Sequence, residues 1–214
     1  MKKFFCRFLA IVLVAITAAA EPVYVTVTGT VEFNQVTNGA FRNAIVPAGS
    51  AATLNFTLDS NNFLNSASFP TRGYVIDQPS FQLQLGPAVG GLKNPFPGTP
   101  YFVVRNNDPA VDGFFLSPGT DLPFGLDLNV TANAAGTRYL RSAFSVTYEG
   151  TRLPSLDILD AIGVYNYTGL TVFNFTCEDL SFEPIGMIFE QMTISRGLVA
   201  VERPTWGALK SLYR

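Results

Sequence analysis

The chain has 214 residues, 48% of them hydrophobic and 14% charged, with a formal net charge of −2, two cysteines and no histidine. That length fits one domain, or at most two small ones. The absence of histidine excludes His-based catalytic triads, His-ligated zinc or copper and histidine pH switching, and leaves paired carboxylates and calcium as the chemistries to weigh.

Lys2, Lys3 and Arg7 make a basic start, Phe8 to Ile16 an apolar core too short to span a bilayer, and Ala18-Ala19-Ala20 a small-residue cleavage pattern. Residues 1–20 are therefore predicted to be a signal peptide, cut between Ala20 and Glu21. Cys6 precedes the apolar core and so does not fit a lipoprotein cysteine. Subtracting the three leader cations from 14 leaves 11 basic residues against 16 acidic ones, a net charge near −5. An acidic chain is a poor partner for nucleic acid and for anionic lipid surfaces. No later apolar run has membrane length, so no membrane contact is expected after cleavage. Cys177 alone would remain, so no internal disulfide is available and a packed core must hold the fold. Cys177 itself reads as a small buried hydrophobe.

From there period-two alternation dominates. In VYVTVTGTVEF, Val25, Val27, Val31 and Phe33 share one face and Thr26, Thr28, Thr30 and Glu32 the other. In TLNFTLD, Leu54, Phe56 and Leu58 oppose Thr53, Asn55 and Thr57. In SFQLQLG, Phe81, Leu83 and Leu85 oppose Gln82 and Gln84, and in GLDLNVT, Leu126, Leu128 and Val130 oppose Asp127 and Asn129. AFSVTY, YTGLTVFNFT and MIFEQMTIS alternate less strictly. LDILDAI, Leu156 to Ile162, suits a short helical turn or one more strand. Turns are expected at Asn38-Gly39, Asp59-Ser60, Asn106 to Gly113, Ser117-Pro118-Gly119 and Ala135-Gly136. Strands with one apolar and one polar face are the habit of antiparallel sheets.

FVVRNNDPAVDGFFLS, Phe102 to Ser117, holds the candidate site. Asn106, Asp108 and Asp112, with Asn107 beside them, offer side-chain oxygens of the kind calcium takes. Pro109-Ala110-Val111 breaks the EF-hand spacing. The alternative is a plain turn, in which Asn and Asp bond their own backbone and Gly113 supplies a positive φ. As a plain turn residue, Asp112 should tolerate replacement by Asn.

Asp157 with Asp160 and Glu178 with Asp179 are the closest carboxylate pairs, but neighbours on a strand face opposite ways and do not share a cleft. Tyr165, Tyr167 and Phe173 could form an aromatic platform for sugars. In a chain with 19 phenylalanines they read first as core. N-x-Thr sequons at Asn55, Asn129, Asn166 and Asn174 arise naturally on Thr-rich strand faces. At the end, Thr205 suits a helix cap, and Trp206, Leu209, Leu212 and Tyr213 form one apolar stripe with Lys210 and Arg214 near the C-terminal end. Residues 203–214 are expected to be a short helical tail, packed on the domain or used for docking.

The order of segments resembles a β-rich domain of secreted bacterial proteins, many of which carry the PEP-CTERM sorting tail. The matching steps are the Gly-Thr-Val strand within Thr28 to Val31, FTLDS at Phe56 to Ser60, FQLQLG, VVRNNDPAVDGFFLS, GLDLNV and Leu153-Pro154. They span most of residues 23–197. The resemblance implies export and a β-sandwich, carries no biochemical activity, and argues against glycans on the sequons. The chain departs from the pattern in lacking a VPEP motif, a terminal apolar helix and an arginine cluster.

These readings converge on an all-β fold: an antiparallel two-sheet β-sandwich, jelly-roll-like, over residues 21–202. The function they imply is non-enzymatic: a module of the cell surface or extracellular matrix that binds glycan or protein, with no cofactor unless calcium occupies the Asn106 loop. A calcium-dependent, glycan-active enzyme using Asp and Glu is the alternative, and a purely structural matrix component a third. Convergent carboxylates in a concave site would mark the enzyme, and a shallow exposed aromatic strip the binding module. Exposed strand edges would mark the structural component.

Overall fold

Thr, Val and Phe favour a pleated, half-buried surface, and the alternation above leaves each segment one face to bury. The computed structural model describes residues 20–37, 39–129, 140–166, 170–178 and 183–197. The first half of the chain gives β1 (Pro22–Asn34), β2 (Ala51–Asn65), β3 (Thr71–Ile76), β4 (Gln82–Leu85), β5 (Ala88–Leu92) and β6 (Tyr101–Arg105). The second half gives β7 (Val111–Ser117), β8 (Leu126–Asn129), β9 (Leu140–Glu149), β10 (Gly163–Tyr165), β11 (Leu170–Glu178) and β12 (Pro184–Ser195). A single 3₁₀ turn, Gln78–Ser80, precedes β4. The predicted signal peptide through residue 19, Asn38 of the predicted Asn38-Gly39 turn, the Ala135-Gly136 turn, Tyr167, Asp179, the side chains of Phe173, Cys177 and Glu178, and the tail at 203–214 lie outside the described residues.

Every ladder between these strands is antiparallel. The order runs β1-β12-β11-β9-β7-β6-β3-β2-β4-β5-β8, and two further pairings, β1–β2 and β8–β9, close it on itself. Two strands make this closure work. The first half of β2 pairs β1 and β4, and after a register shift between Leu58 and Phe63 its second half pairs β3. Likewise β9 pairs β8 through Leu140–Ser142 and β7 through Ser145–Glu149. Closure removes most of the unpaired edge that an open sheet presents to other chains.

The expected inward residues are inward. Val25, Val27, Leu54, Phe56, Leu58, Phe81, Leu83, Leu85, Leu126 and Leu128 are all buried. Aromatic rings run through the core in a chain: Phe81 stacks on Phe56 (5.9 Å between centroids), Phe56 meets Phe102 (5.3 Å), Phe102 stacks on Phe114 (5.5 Å), and Phe114 takes the edge of Tyr165 (5.0 Å). Such contacts add to simple area burial, which for one Phe side chain contributes about 1.5–3 kcal/mol.

Three local expectations fail. Phe33 is exposed, not buried, because β1 slips register against β12 between Val31 and Phe33; the ring then lies over Gly186, and Asn34 turns inward. Asp59-Ser60 is no turn, since β2 continues through it to Asn65. Leu156 to Ile162 is neither helix nor strand but a tight turn that buries Ile158 and Ala161. Asn34 then organises the β1–β2 connection: its amide donates to the Phe41 and Val46 carbonyls (2.8 and 2.7 Å) and its oxygen accepts the Val36 N–H (2.9 Å).

Candidate functional site

The loop joining β6 to β7 is built around a buried carboxylate. Asp112 is fully buried at the start of β7. Its Oδ1 accepts the Asn107 N–H (2.8 Å), and its Oδ2 accepts the N–H groups of Arg152 and Leu153, the latter at 2.6 Å. Three backbone donors therefore converge on the side chain, the arrangement that satisfies a carboxylate away from water. Asn106 donates to the Leu153 carbonyl (3.3 Å) and accepts from the Asn107 amide. Asp108 faces the Arg105 guanidinium at 3.5 Å. The structure thus brings Asn106 and Asp112 to one place and turns both toward the segment after β9, while Asp108 turns toward Arg105. Among the described residues no three His, Cys, Asp or Glu side chains are grouped to hold a metal.

Gly113 does not have the positive φ expected of it; Asn107 does, at 54°. Asn visits the left-handed region more readily than most residues. Gly113 is glycine for a different reason: a Cβ there would overlap the Val146 carbonyl of the neighbouring β9.

The other candidates among the described residues, Asp157, Asp160 and Tyr165, are bonded into the fold. Asp157 caps a local N–H, that of Leu159 (2.9 Å), and Asp160 accepts from Ser155 (2.7 Å). Tyr165 is partly buried against the core, and its hydroxyl donates to the Ala161 carbonyl (2.6 Å). Burial pushes its hydroxyl up to about 12, with Tyr148 and Asp112 adding to the effect. Burial does the same to Tyr148, also to about 12, against a weaker pull downward from Arg152.

A different surface carries the site geometry. On the outer face of β1 and its two neighbours, antiparallel register aligns three cross-strand rows. Thr57, Tyr24 and Ser195 form the first, Asn55, Thr26 and Thr193 the second, and Thr53, Thr28 and Gln191 the third. They line a groove of about 640 Å³. Ser80, on the 3₁₀ turn, forms part of its wall, accepting the Thr57 N–H (2.8 Å) and donating to the Asp77 carbonyl (2.6 Å). The groove continues past Tyr24 and Thr57 into a smaller recess of about 270 Å³ that includes Asp59 and Asp77. From Thr28 to Pro22 the path covers roughly 20 Å at strand rise.

None of the nine row side chains is charged. Among the described residues, the side chains of Thr26, Thr53, Asn55 and Thr193 have no hydrogen-bond partner, although each is only partly exposed. The sequence contained the signal, since T-x-T-x-T and T-x-N-x-T each put three polar groups on one strand face. What it lacked was the adjacency of β1, β2 and β12, which lie far apart in the chain.

No helix among the described residues is long and apolar enough to cross a membrane. Comparison with protein-family models, with curated proteins and with solved structures finds no match to the chain.

Proposed function

We propose that the chain is a secreted, non-enzymatic module of the cell surface or extracellular matrix, folded as a two-sheet sandwich, that binds an extended glycan along the groove on β1, β2 and β12. The observation that carries this reading is the set of partly exposed Thr and Asn side chains with no hydrogen-bond partner among the described residues. Hydroxyls and amides of that kind both donate and accept, which suits a ligand made of hydroxyls. Tyr24, at the junction of the groove and the recess, supplies an aromatic surface for a sugar ring. Two further features favour a binding module over its rivals. Asp112, Asp157 and Asp160 accept hydrogen bonds within loops and turns, and the two carboxylates that share a recess, Asp59 and Asp77, lie beyond the end of the groove rather than across its floor. The closed strand order offers little edge for self-assembly. The basic start, apolar core and Ala-Ala-Ala step before Glu21 support export, as does the resemblance to secreted bacterial β-rich domains.

The test is a polysaccharide panel probed with the folded protein and with Asn55→Ala and Thr26→Val. Binding that both variants lose, with their melting unchanged, is the expected result. Folded protein that retains no glycan, or glycan binding that both variants keep, would overturn the reading. A protein ligand captured at this face instead would also count against it.

A further inference from the structure

Resting on that reading, we infer that the groove selects an uncharged polysaccharide and that Asp59 and Asp77, where the groove runs into its recess, act as the determinants that reject anionic chains. The floor is neutral over its three rows, so a ligand with a charge on every repeat would lose water there without meeting a counter-charge. A neutral chain loses only hydroxyl hydration, and the side chains of Asn55, Thr26 and Thr193, which have no hydrogen-bond partner among the described residues, replace it.

The surroundings sharpen the choice. Tyr24 and Thr57 belong to both the groove and the recess, and the recess also contains Asp59 and Asp77. Both carboxylates also line a second hollow farther on, with Asn62 and Gln78. At the same end Arg196 is paired with Glu21 (3.4 Å), so its charge is already answered. At the other end Glu190 bulges out between Phe189 and Gln191, exposed beside the third row. At the recess end Asp59 and Asp77 outnumber the α-ammonium that cleavage before Glu21 would leave there, so a ligand lying along the floor meets net negative charge at both ends. A uronate or sulfated polymer is repelled there, and the repulsion weakens as salt shortens the screening length to about 3 Å at 1 M.

The carboxylates are tied into the fold lightly enough to be neutralised in place. Asp59 Oδ1 accepts the Asn61 N–H (2.8 Å), and Asp77 Oδ2 lies 3.5 Å from the Thr57 hydroxyl. An asparagine oxygen can accept both.

The experiment compares neutral polymers (cellulose, mannan, xylan) with cellouronate, mannuronate and polygalacturonate, and with cationic chitosan, using the full folded protein at low salt. Wild-type protein is expected to bind a neutral polymer at least tenfold more tightly than any uronate, with no loss of neutral binding as salt is raised. The Asp59→Asn, Asp77→Asn double variant should gain affinity for a uronate relative to a neutral chain. Equal binding of uronate and neutral chains, or preferential binding of chitosan, would overturn the inference while leaving the glycan reading standing. So would a double variant that melts like wild type yet gains nothing. Binding of no polymer in the panel would overturn the glycan reading itself.

Discussion

At the scale of single residues, burial alone does not say what a polar group contributes; its partners do. Tyr74 and Tyr148 are equally hidden in the core. The Tyr74 hydroxyl donates to the Leu156 carbonyl and accepts the Ile158 N–H, both at 2.9 Å, and so pins the turn after β9. The Tyr148 hydroxyl has no partner among the described residues. Opposite outcomes follow for the same chemical change. Tyr74→Phe should cost about 1–3 kcal/mol by leaving buried backbone groups unpaired, whereas Tyr148→Phe should be neutral or stabilising by about 1 kcal/mol. Denaturant melts of the two variants decide the matter, and equal losses would mean that the Tyr148 hydroxyl is satisfied after all. Asp112 repeats the lesson. As a turn residue it was expected to tolerate Asn, but three converging N–H donors leave no place for an amide NH₂. Asp112→Asn should therefore cost about 1.5–3 kcal/mol per charged bond lost, up to the limit of local relaxation. With those oxygens engaged, melting in millimolar calcium and in chelator should coincide. A shift of several degrees that Asp112→Asn abolishes would restore the ion reading.

At the scale of elements, alternation decides which substitutions matter. Phe56 lies inside β2 between Phe81 and Phe102, while Thr57, one residue on, looks out into the groove. Phe56→Ala should cost about 3–5 kcal/mol and Thr57→Ala well under about 1 kcal/mol. Similar losses in urea titrations would refute the face assignment. Gly113→Ala should cost about 1–3 kcal/mol, because the new methyl meets the backbone carbonyl of Val146 rather than a side chain that can swing away. Most strands were legible because period two is a local property: Leu54, Phe56 and Leu58 needed only their own spacing. Phe33 was not, because a register slip against β12 is set by a strand some 150 residues on. The buried, fully bonded Asn34 was missed for a related reason, since nothing local distinguishes an asparagine that organises a loop from one that merely ends a strand. The groove falls between these cases, with its rows readable one strand at a time and its existence fixed only by which strands become neighbours.

At the scale of the whole molecule, a closed antiparallel sheet that joins the first strand to the last ties distant segments into one cooperative unit. Groups deep in that unit then report on its global unfolding, and the tyrosines do so at high pH. Tyr148 and Tyr165 ionise at about 12 in the fold, raised chiefly by burial. In the unfolded chain a tyrosine ionises near 10. Between those values the folded state keeps protons that the unfolded state gives up. Stability from this source is therefore intact below about pH 10 and lost as pH climbs toward about 12. A two-unit rise on the fully buried Tyr148 corresponds to roughly 3 kcal/mol. Lysine confuses the measurement little, since the chain has only Lys2, Lys3, Lys93 and Lys210. Thermal melts should hold steady from about pH 8 to about pH 10 and then fall steeply. Tyr148→Phe should make the fall shallower while leaving the plateau as high or higher. If the variant tracks the wild-type curve through the whole alkaline range, ionisation of this buried ring is not what opens the sheet.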